Sequence, residues 1–235
     1  AAECSSEFIL FLNPDTLIRN SCIKMTTEFM VNASPSVGVC GIKTTDLDGK
    51  PHRDCARFPS LKHFIYKSVG LAQAFPKIFE PVTLAEFNHI ESRYVDHVIG
   101  AYYFVRNADF KKLGGFDERF FVYLEDLDFS LRMKQIGKKV YYLAETEVFH
   151  QRHGTSDDLL DQRISLSLHS RILYAKKWFS SCSYGLVLLF TLLVEPLIRI
   201  CITLVLEPRG LSSLLKNYIV LFKKLSVTKQ PKSLP

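Results

Sequence analysis

Residues 114–132 read GGFDERFFVYLEDLDFSLR, and the rest of the chain is best understood outward from them. A Gly114-Gly115 turn leads into Phe116, Asp117 and Glu118, then an aromatic and apolar run, then the acidic cluster Glu125-Asp126-Leu127-Asp128. Leu127, Leu131 and Ile136, with Phe129 and Met133, recur at the spacing of one apolar helix face, and Gly137 is placed to end that helix. Acids in a first helical turn complement the helix dipole, so capping accounts for one of them. It does not account for an Asp/Glu pair beside so much aromatic surface, a combination suited to carboxylates with tuned proton affinity.

Upstream, Phe8 to Leu12 is a short apolar run expected to be a buried strand, stopped by the turn Asn13-Pro14-Asp15-Thr16. Ligands of open α/β sheets gather at the carboxyl ends of strands, so Asp15 reads either as a metal or phosphate ligand or as an ordinary Asx turn. Residues 21–31 read as a helix, 37–42 as a strand, and 46–50 as a hairpin turn whose acids lack the later ligands of a calcium loop. Prolines at 51, 59, 76 and 81 break residues 53–92 into short helices and a long connection, where Arg57 reads as a surface arginine. Residues 94–106 carry the strongest strand signal. Gly100-Ala101 in its middle removes side chains, leaving room for a ligand or for a packed helix. A short helix over 107–113 precedes the Gly-Gly turn, and residues 138–143 form another strand. His150, followed by the polar loop that contains Arg152, reads either as a structural histidine or as a ligand.

The chain has 235 residues, enough for one full core and an appendage. Its net charge of +6 is uneven, with ten Lys/Arg against Glu195 and Glu207 from Arg171 onward, so the body ahead of them is mildly acidic. A basic, apolar tail points to a membrane surface, and no aromatic-basic nucleic-acid motif appears. Six cysteines lie far apart without zinc spacing and read as reduced, mostly buried thiols of a cytosolic protein.

Taken together, Asn13-Pro14-Asp15-Thr16, Gly100-Ala101, the GGFDE…FF…Y…ED…D run and His150 with the histidine and glycine after it resemble the family-two glycosyltransferases. The likeness, over roughly residues 6–180, is nearest the rhamnosyltransferase- and galactofuranosyltransferase-like branch of bacterial surface polysaccharide synthesis. The resemblance implies α/β architecture of the A-type glycosyltransferase fold, with a Rossmann-like, mixed and mostly parallel sheet. It implies a nucleotide-sugar donor, a Mg²⁺ or Mn²⁺ cofactor and a lipid-linked or polysaccharide acceptor. On this pattern Asp126 is the general base and Glu125 its acidic neighbour. Asp15 and His150 belong to the metal site, and Asn13, Gly100, Ala101, Asp117 and Arg152 to the substrate site. Such an enzyme inverts the anomeric carbon by single displacement. The family also carries about three βα units ahead of the Asn-Pro-Asp strand, so the chain is expected to be N-terminally truncated.

The expected organisation is a catalytic part over 1–158, a helical connector over 159–180 and a membrane-associated tail over 181–235. Residues 184–206 are nearly continuous apolar sequence interrupted by Glu195-Pro196 and Arg199, which favours a bent interfacial insertion over a clean span. Residues 211–225 read as a basic amphipathic helix or, failing that, an oligomer interface. The expected place is the cytoplasmic face of the inner membrane, peripheral or monotopic. The alternative reading is a non-catalytic remnant or partner subunit that cannot hold a nucleotide sugar alone.

Overall fold

The computed structural model describes residues 3–18, 21–151 and 162–227. They form two compact units, a sheet unit (1–59, 81–118, 125–155) and a helical unit (60–80, 119–124, 156–235). Residues 60–80 and 119–124, which a linear division assigns to the catalytic part, therefore cluster with the C-terminal helices.

In the sheet unit the strands are β1 (Phe8–Leu12), β2 (Thr16–Leu17), β3 (Val37–Thr45), β4 (Cys55–Ala56), β5 (Arg93–Val95), β6 (His97–Val98), β7 (Tyr102–Arg106) and β8 (Lys139–His150). The main sheet runs β1-β7-β3-β8-β2, with β5 also on β8, and β4 pairs β6 separately. The sheet is mixed, but it is not mostly parallel. Only β3 and β8 pair in parallel among the described strands, because β7 runs against both of its neighbours, β1 and β3.

Alternation along β7 divides the interior. Tyr103 and Val105 join Phe110, Phe129, Met133 and Tyr142 on one face. Tyr102 and Phe104 join Cys22, Met30 and Ile42 on the other. Helices α4 (Asn107–Lys112) and α5 (Glu125–Gln135) supply the first group, and α1 (Cys22–Asn32) supplies the second. Strands covered on both faces read as continuous apolar runs, which is why the buried β7 and the half-buried β1 are visible in the sequence. β1 ends the sheet and is hydrogen-bonded along one side only among the described strands.

The single strand expected over 94–106 is three strands. The chain leaves β8 after Val95, pairs with β4 through His97 and Val98, then joins β1 and β3 from Tyr102. Ile99 N–H donates to the Asp54 carbonyl at 3.0 Å, so the ladder is handed to another partner and Gly100-Ala101 lies at the break. β8 exceeds its expected length and continues to His150, because Glu145 and Glu147 point out while Thr146 and Val148 point in. Glycine has specific work at two places. Gly114 and Gly115 both adopt positive φ, 71° and 79°. Arg132 pins their turn to α5, donating to the Leu113 and Gly115 carbonyls and to the fully buried Asp128. Gly41 of β3 lies under β6, where an added Cβ would meet Val98 at 2.6 Å.

The helical unit contains α2 (Leu61–Ser68), α3 (Leu71–Ala74), α6 (Arg163–Trp178), α7 (Ser181–Leu189), α8 (Glu195–Leu206) and α9 (Leu211–Val227). Leu168 and Ile172 of α6 pack on Leu214, Tyr218 and Leu221 of α9. A π-helical turn, Phe190–Val194, joins α7 to α8 directly before Glu195-Pro196. Proline has no N–H to give the preceding turn, and a widened turn accommodates that loss. The continuous stretch Ser181–Leu206 is long and apolar enough to cross a membrane by length and composition, and 17% of its most apolar window is buried.

The cysteines form no disulfide among the described residues. Cys22, Cys40 and Cys55 are buried, whereas Cys182 and Cys201 are exposed on the apolar helices, so half rather than most are interior.

Replacing Gly41 by alanine is expected to destabilise the sheet unit by about 1–3 kcal/mol through overpacking against Val98. A lower urea midpoint at unchanged slope would show it; an unchanged midpoint would mean the two sheets are not in that close contact.

Candidate active site

The break between β6 and β7 assembles a cluster of polar groups. The Gly100 N–H donates to Asp126 Oδ2 at 2.7 Å, and the Leu127 N–H donates to Asp126 Oδ1 at 2.7 Å. Both oxygens of this half-buried carboxylate are thus aimed by backbone donors. A side chain at position 100 would put its Cβ 3.2 Å from Asp126 Oδ2, so glycine there permits the approach.

On the other side of the same dipeptide, the Ala101 carbonyl accepts from the Asn13 N–H at 3.2 Å and from Thr16 Oγ1 at 3.3 Å. Asp15 follows in that turn, and its carbonyl accepts the Gln151 N–H at 3.0 Å while Thr16 pairs with His150 across β2 and β8. His150 Nε2 consequently lies 3.3 Å from Asp15 Oδ1. The contact is within ion-pair reach, yet Asp15 Oδ1 and His150 Nδ1 are buried without a hydrogen-bond partner among the described residues. His52 presents its ring edge-on to His150, with centroids 6.3 Å apart.

Glu125 opens α5 immediately after two residues in the left-handed region, Tyr123 (φ 66°) and Leu124 (φ 67°). Such backbone costs about 1–3 kcal/mol per non-glycine residue and concentrates at functional positions. Burial, and secondarily the Asp126 charge, raises the Glu125 carboxyl from 4.5 to about 7. Its Oε2 is buried without a hydrogen-bond partner among the described residues. The raised proton affinity of Glu125 comes first from its burial and then from the charge beside it.

Behind Asp126 stands His97, whose Nε2 is 3.7 Å from Asp126 Oδ2, beyond hydrogen-bond length. Its Nδ1 lies 2.9 Å from Ser130 Oγ, which in turn is 2.9 Å from the Tyr103 hydroxyl. Burial lowers the His97 pKa while Asp126 and Asp96 oppose the shift. An uncharged imidazole in a buried relay is the result.

The structure therefore gathers Asn13, Asp15, Gly100, Ala101, Asp126 and His150 around one dipeptide, with Glu125 adjoining. Asp117 lies half-buried after the Gly-Gly turn and takes no part in the contacts above. Arg152 lies outside the described residues. Asp128 is not part of the cluster but an internal partner of Arg132. Among the described residues no group of three or more His, Cys, Asp or Glu is placed to hold a metal ion. Asp15 with His150 is a pair of donors, which fits a divalent cation whose remaining ligands come from a substrate.

The sequence profile of glycosyl transferase family group 2 matches residues 8–223. The chain belongs to this family. Rhamnosyltransferase WbbL of Escherichia coli (strain K12) is 24% identical over 174 residues, covering 72% of this chain and 61% of that protein. N-acetylglucosaminyl-diphospho-decaprenol L-rhamnosyltransferase of Mycobacterium tuberculosis (strain ATCC 25618 / H37Rv) is 30% identical over 156 residues, 65% of this chain and 50% of that one. The chain thus spans 61% and 50% of the lengths of these two relatives. Mannosyltransferase PcManGT from Pyrobaculum calidifontis, solved with GDP-Man and Mn²⁺, has a TM-score of 0.46 at 12% identity, covering 97% of this chain and 64% of its own. That likeness is too loose to carry chemistry across. In this family-two chain, the site residues that sequence reasoning passed over are His97, Ser130 and Tyr103. Only His97 leaves a trace in the sequence, as an isolated histidine three residues before Gly100.

Because the folded Glu125 carboxyl is raised, its protonated form favours the folded state. The associated stability is full below about pH 4.5 and is lost as pH rises through about 7. Glu125→Gln is expected to remove that loss, on the order of 1–3 kcal/mol, from a series of thermal melts across this range. Identical pH profiles for the two proteins would place the Glu125 carboxylate in water instead.

Proposed function

We propose that this chain is part of an inverting, metal-dependent glycosyltransferase of the A-type fold. Its substrates on this reading are a nucleotide-diphosphate donor carrying rhamnose or another hexose and a lipid-linked glycan acceptor of cell-surface polysaccharide synthesis. The observation that carries the reading is the Asp126 carboxylate, held by the Gly100 N–H, beside an acid that exchanges protons near neutral pH. Sugar transfer needs a base to take the acceptor hydroxyl's proton as its oxygen attacks the anomeric carbon. Asp126 is oriented for that removal, and the acid next to it, Glu125, is the one whose proton affinity is raised. The absence of a side chain at Gly100 lets its N–H reach the carboxylate, and the Asn13–Thr16 turn holds the neighbouring Ala101 carbonyl.

Asp15 and His150 would hold the divalent cation, Mg²⁺ or Mn²⁺, with imidazole favouring the latter. When bound, the cation supplies charge neutralisation for a departing diphosphate.

The helical unit supports a place on the cytoplasmic face of a membrane. Leu193, Leu197, Val205 and Leu206 of the Ser181–Leu206 stretch, with Ile219 and Phe222 of α9, are exposed, and Lys216, Lys223 and Lys224 lie on α9 among them. Apolar area inserts while each basic residue near an anionic leaflet adds roughly 1 kcal/mol. Glu195 and Pro196 at mid-helix suit an interfacial helix better than a crossing one.

Asp126→Asn is expected to lower sugar transfer about 10²–10⁴-fold with donor binding retained. Asp15→Ala is expected to raise the Mn²⁺ concentration needed for half-maximal activity. Full transfer by both variants rejects the assignments. Calorimetry that finds no binding of any nucleotide sugar or Mn²⁺ supports a non-catalytic remnant instead.

A further inference from the structure

Sugar transfer as proposed gives His97 no task, although it is the buried side chain that stands behind the base. It belongs to β6, which pairs it with Ala56 of β4, and 3% of it is exposed. Its two ring nitrogens meet successive turns of α5. Nε2 faces Asp126 Oδ2 at 3.7 Å, and Nδ1 lies 2.9 Å from Oγ of Ser130, four residues further along the helix. Ser130 Oγ is also 2.9 Å from the hydroxyl of Tyr103. Tyr103 is fully buried, with the Phe116 and Phe129 rings against its own.

The donors available give this chain of contacts a direction. A buried hydroxyl that donates to nothing keeps the whole cost of leaving water. Among the described residues Ser130 Oγ is the acceptor within reach of the Tyr103 O–H, so Tyr103 donates to Ser130. Ser130 then gives its own hydrogen to its remaining partner, His97 Nδ1. A neutral imidazole has one N–H; with Nδ1 accepting, that hydrogen is on Nε2 and faces Asp126. Burial keeps the ring uncharged, against the opposing charges of Asp126 and of Asp96, whose own partner is Lys134 at 3.2 Å. A cation in the same place would also hold the carboxylate, but it would weaken it as a base by favouring the ionised form. An uncharged N–H orients the carboxylate with less loss of basicity.

We propose that His97 is a positioning residue: Tyr103 and Ser130 fix its Nε2–H tautomer, and that N–H holds Asp126 Oδ2 in place beside the Gly100 N–H. At 3.7 Å it acts on the carboxylate as a dipole rather than as a formed hydrogen bond. The proposal rests on the glycosyltransferase reading only for the role of Asp126 as base. The tautomer and the hold on the carboxylate stand on contacts within the sheet unit.

The test begins with nitrogen NMR of the 235-residue chain labelled at histidine, the His97 signals being those lost in His97→Gln. A neutral ring protonated at Nε2 is expected at about pH 7. Ser130→Ala should replace that single tautomer by a mixture. A ring protonated at Nδ1, or a charged ring, overturns the proposal. Amide exchange then reads the hold on Asp126. His97→Phe fills the site without a donor and should speed exchange of the Gly100 N–H about tenfold, the worth of one contact to a charged group. Exchange along the β3–β8 ladder should not change, and His97→Gln, which keeps an N–H, should stay near the unaltered rate. Equal Gly100 exchange in all three proteins, or a ladder loosened in both variants, overturns the proposal. In sugar transfer the same two variants separate in kcat: about a tenfold loss for His97→Phe at unchanged donor KM, and recovery of most of it in His97→Gln. A change in KM alone, or equal kcat in all three, overturns the link to the base. No transfer by the unaltered chain counts against the enzymatic reading alone, because the tautomer and the Gly100 exchange decide whether His97 holds Asp126.

Discussion

One hydrogen bond organises the sheet unit, from the Gly100 N–H to the Asp126 carboxylate. It exists because the chain stops pairing between β6 and β7, which frees a backbone donor in the interior. A freed donor there must find an acceptor, and the first turn of α5 provides it. The neighbouring Ala101 carbonyl is occupied in the same way by the Asn13–Thr16 turn. Two peptide groups released from a ladder thereby join segments separated by more than a hundred residues. The cluster of acids and histidine is a product of that break rather than of any one element.

The parts of this arrangement that local chemistry controls are legible in the sequence. β1 appears as an apolar run because both of its faces meet other side chains. α5 appears through its apolar spacing, and its end through Gly137, whose φ of 78° belongs to the left-handed region. The Gly114-Gly115 turn is read just as directly. What the sequence hides is set by partners far along the chain. The break at Gly100 depends on β4 and Asp54, some forty residues upstream, so residues 94–106 look like one uninterrupted strand. The extension of β8 to His150 depends on β3 and β2 lying alongside. Asp128 resembles its acidic neighbours in sequence, yet it is sealed against Arg132. His97 becomes recognisable only when Ser130 and Tyr103 are folded around it.

The helical unit follows a different physical logic. Its interior pairing of Arg171, Glu195 and Arg199 offers little net stability compared with apolar packing of similar volume. What it provides is direction. A carboxylate with both oxygens occupied fixes two guanidiniums that would otherwise sample many rotamers, at the point where the π-helical turn widens the backbone. Proline at 196 and glutamate at 195 look in sequence like damage to an apolar helix. In the fold they are what gives that helix a polar side.

The position of β1 at the margin of the sheet carries a geometric implication. Its outer amides and carbonyls offer a template on which a further strand can be laid. A strand added there in the same direction as β1 would end beside the Asn13–Thr16 turn, since the carboxyl ends of parallel neighbours lie together. Whatever loop followed it would arrive near that turn, which contains Asp15. The molecule's margin thus selects where an added strand could approach the cluster: at the Asn13–Thr16 turn.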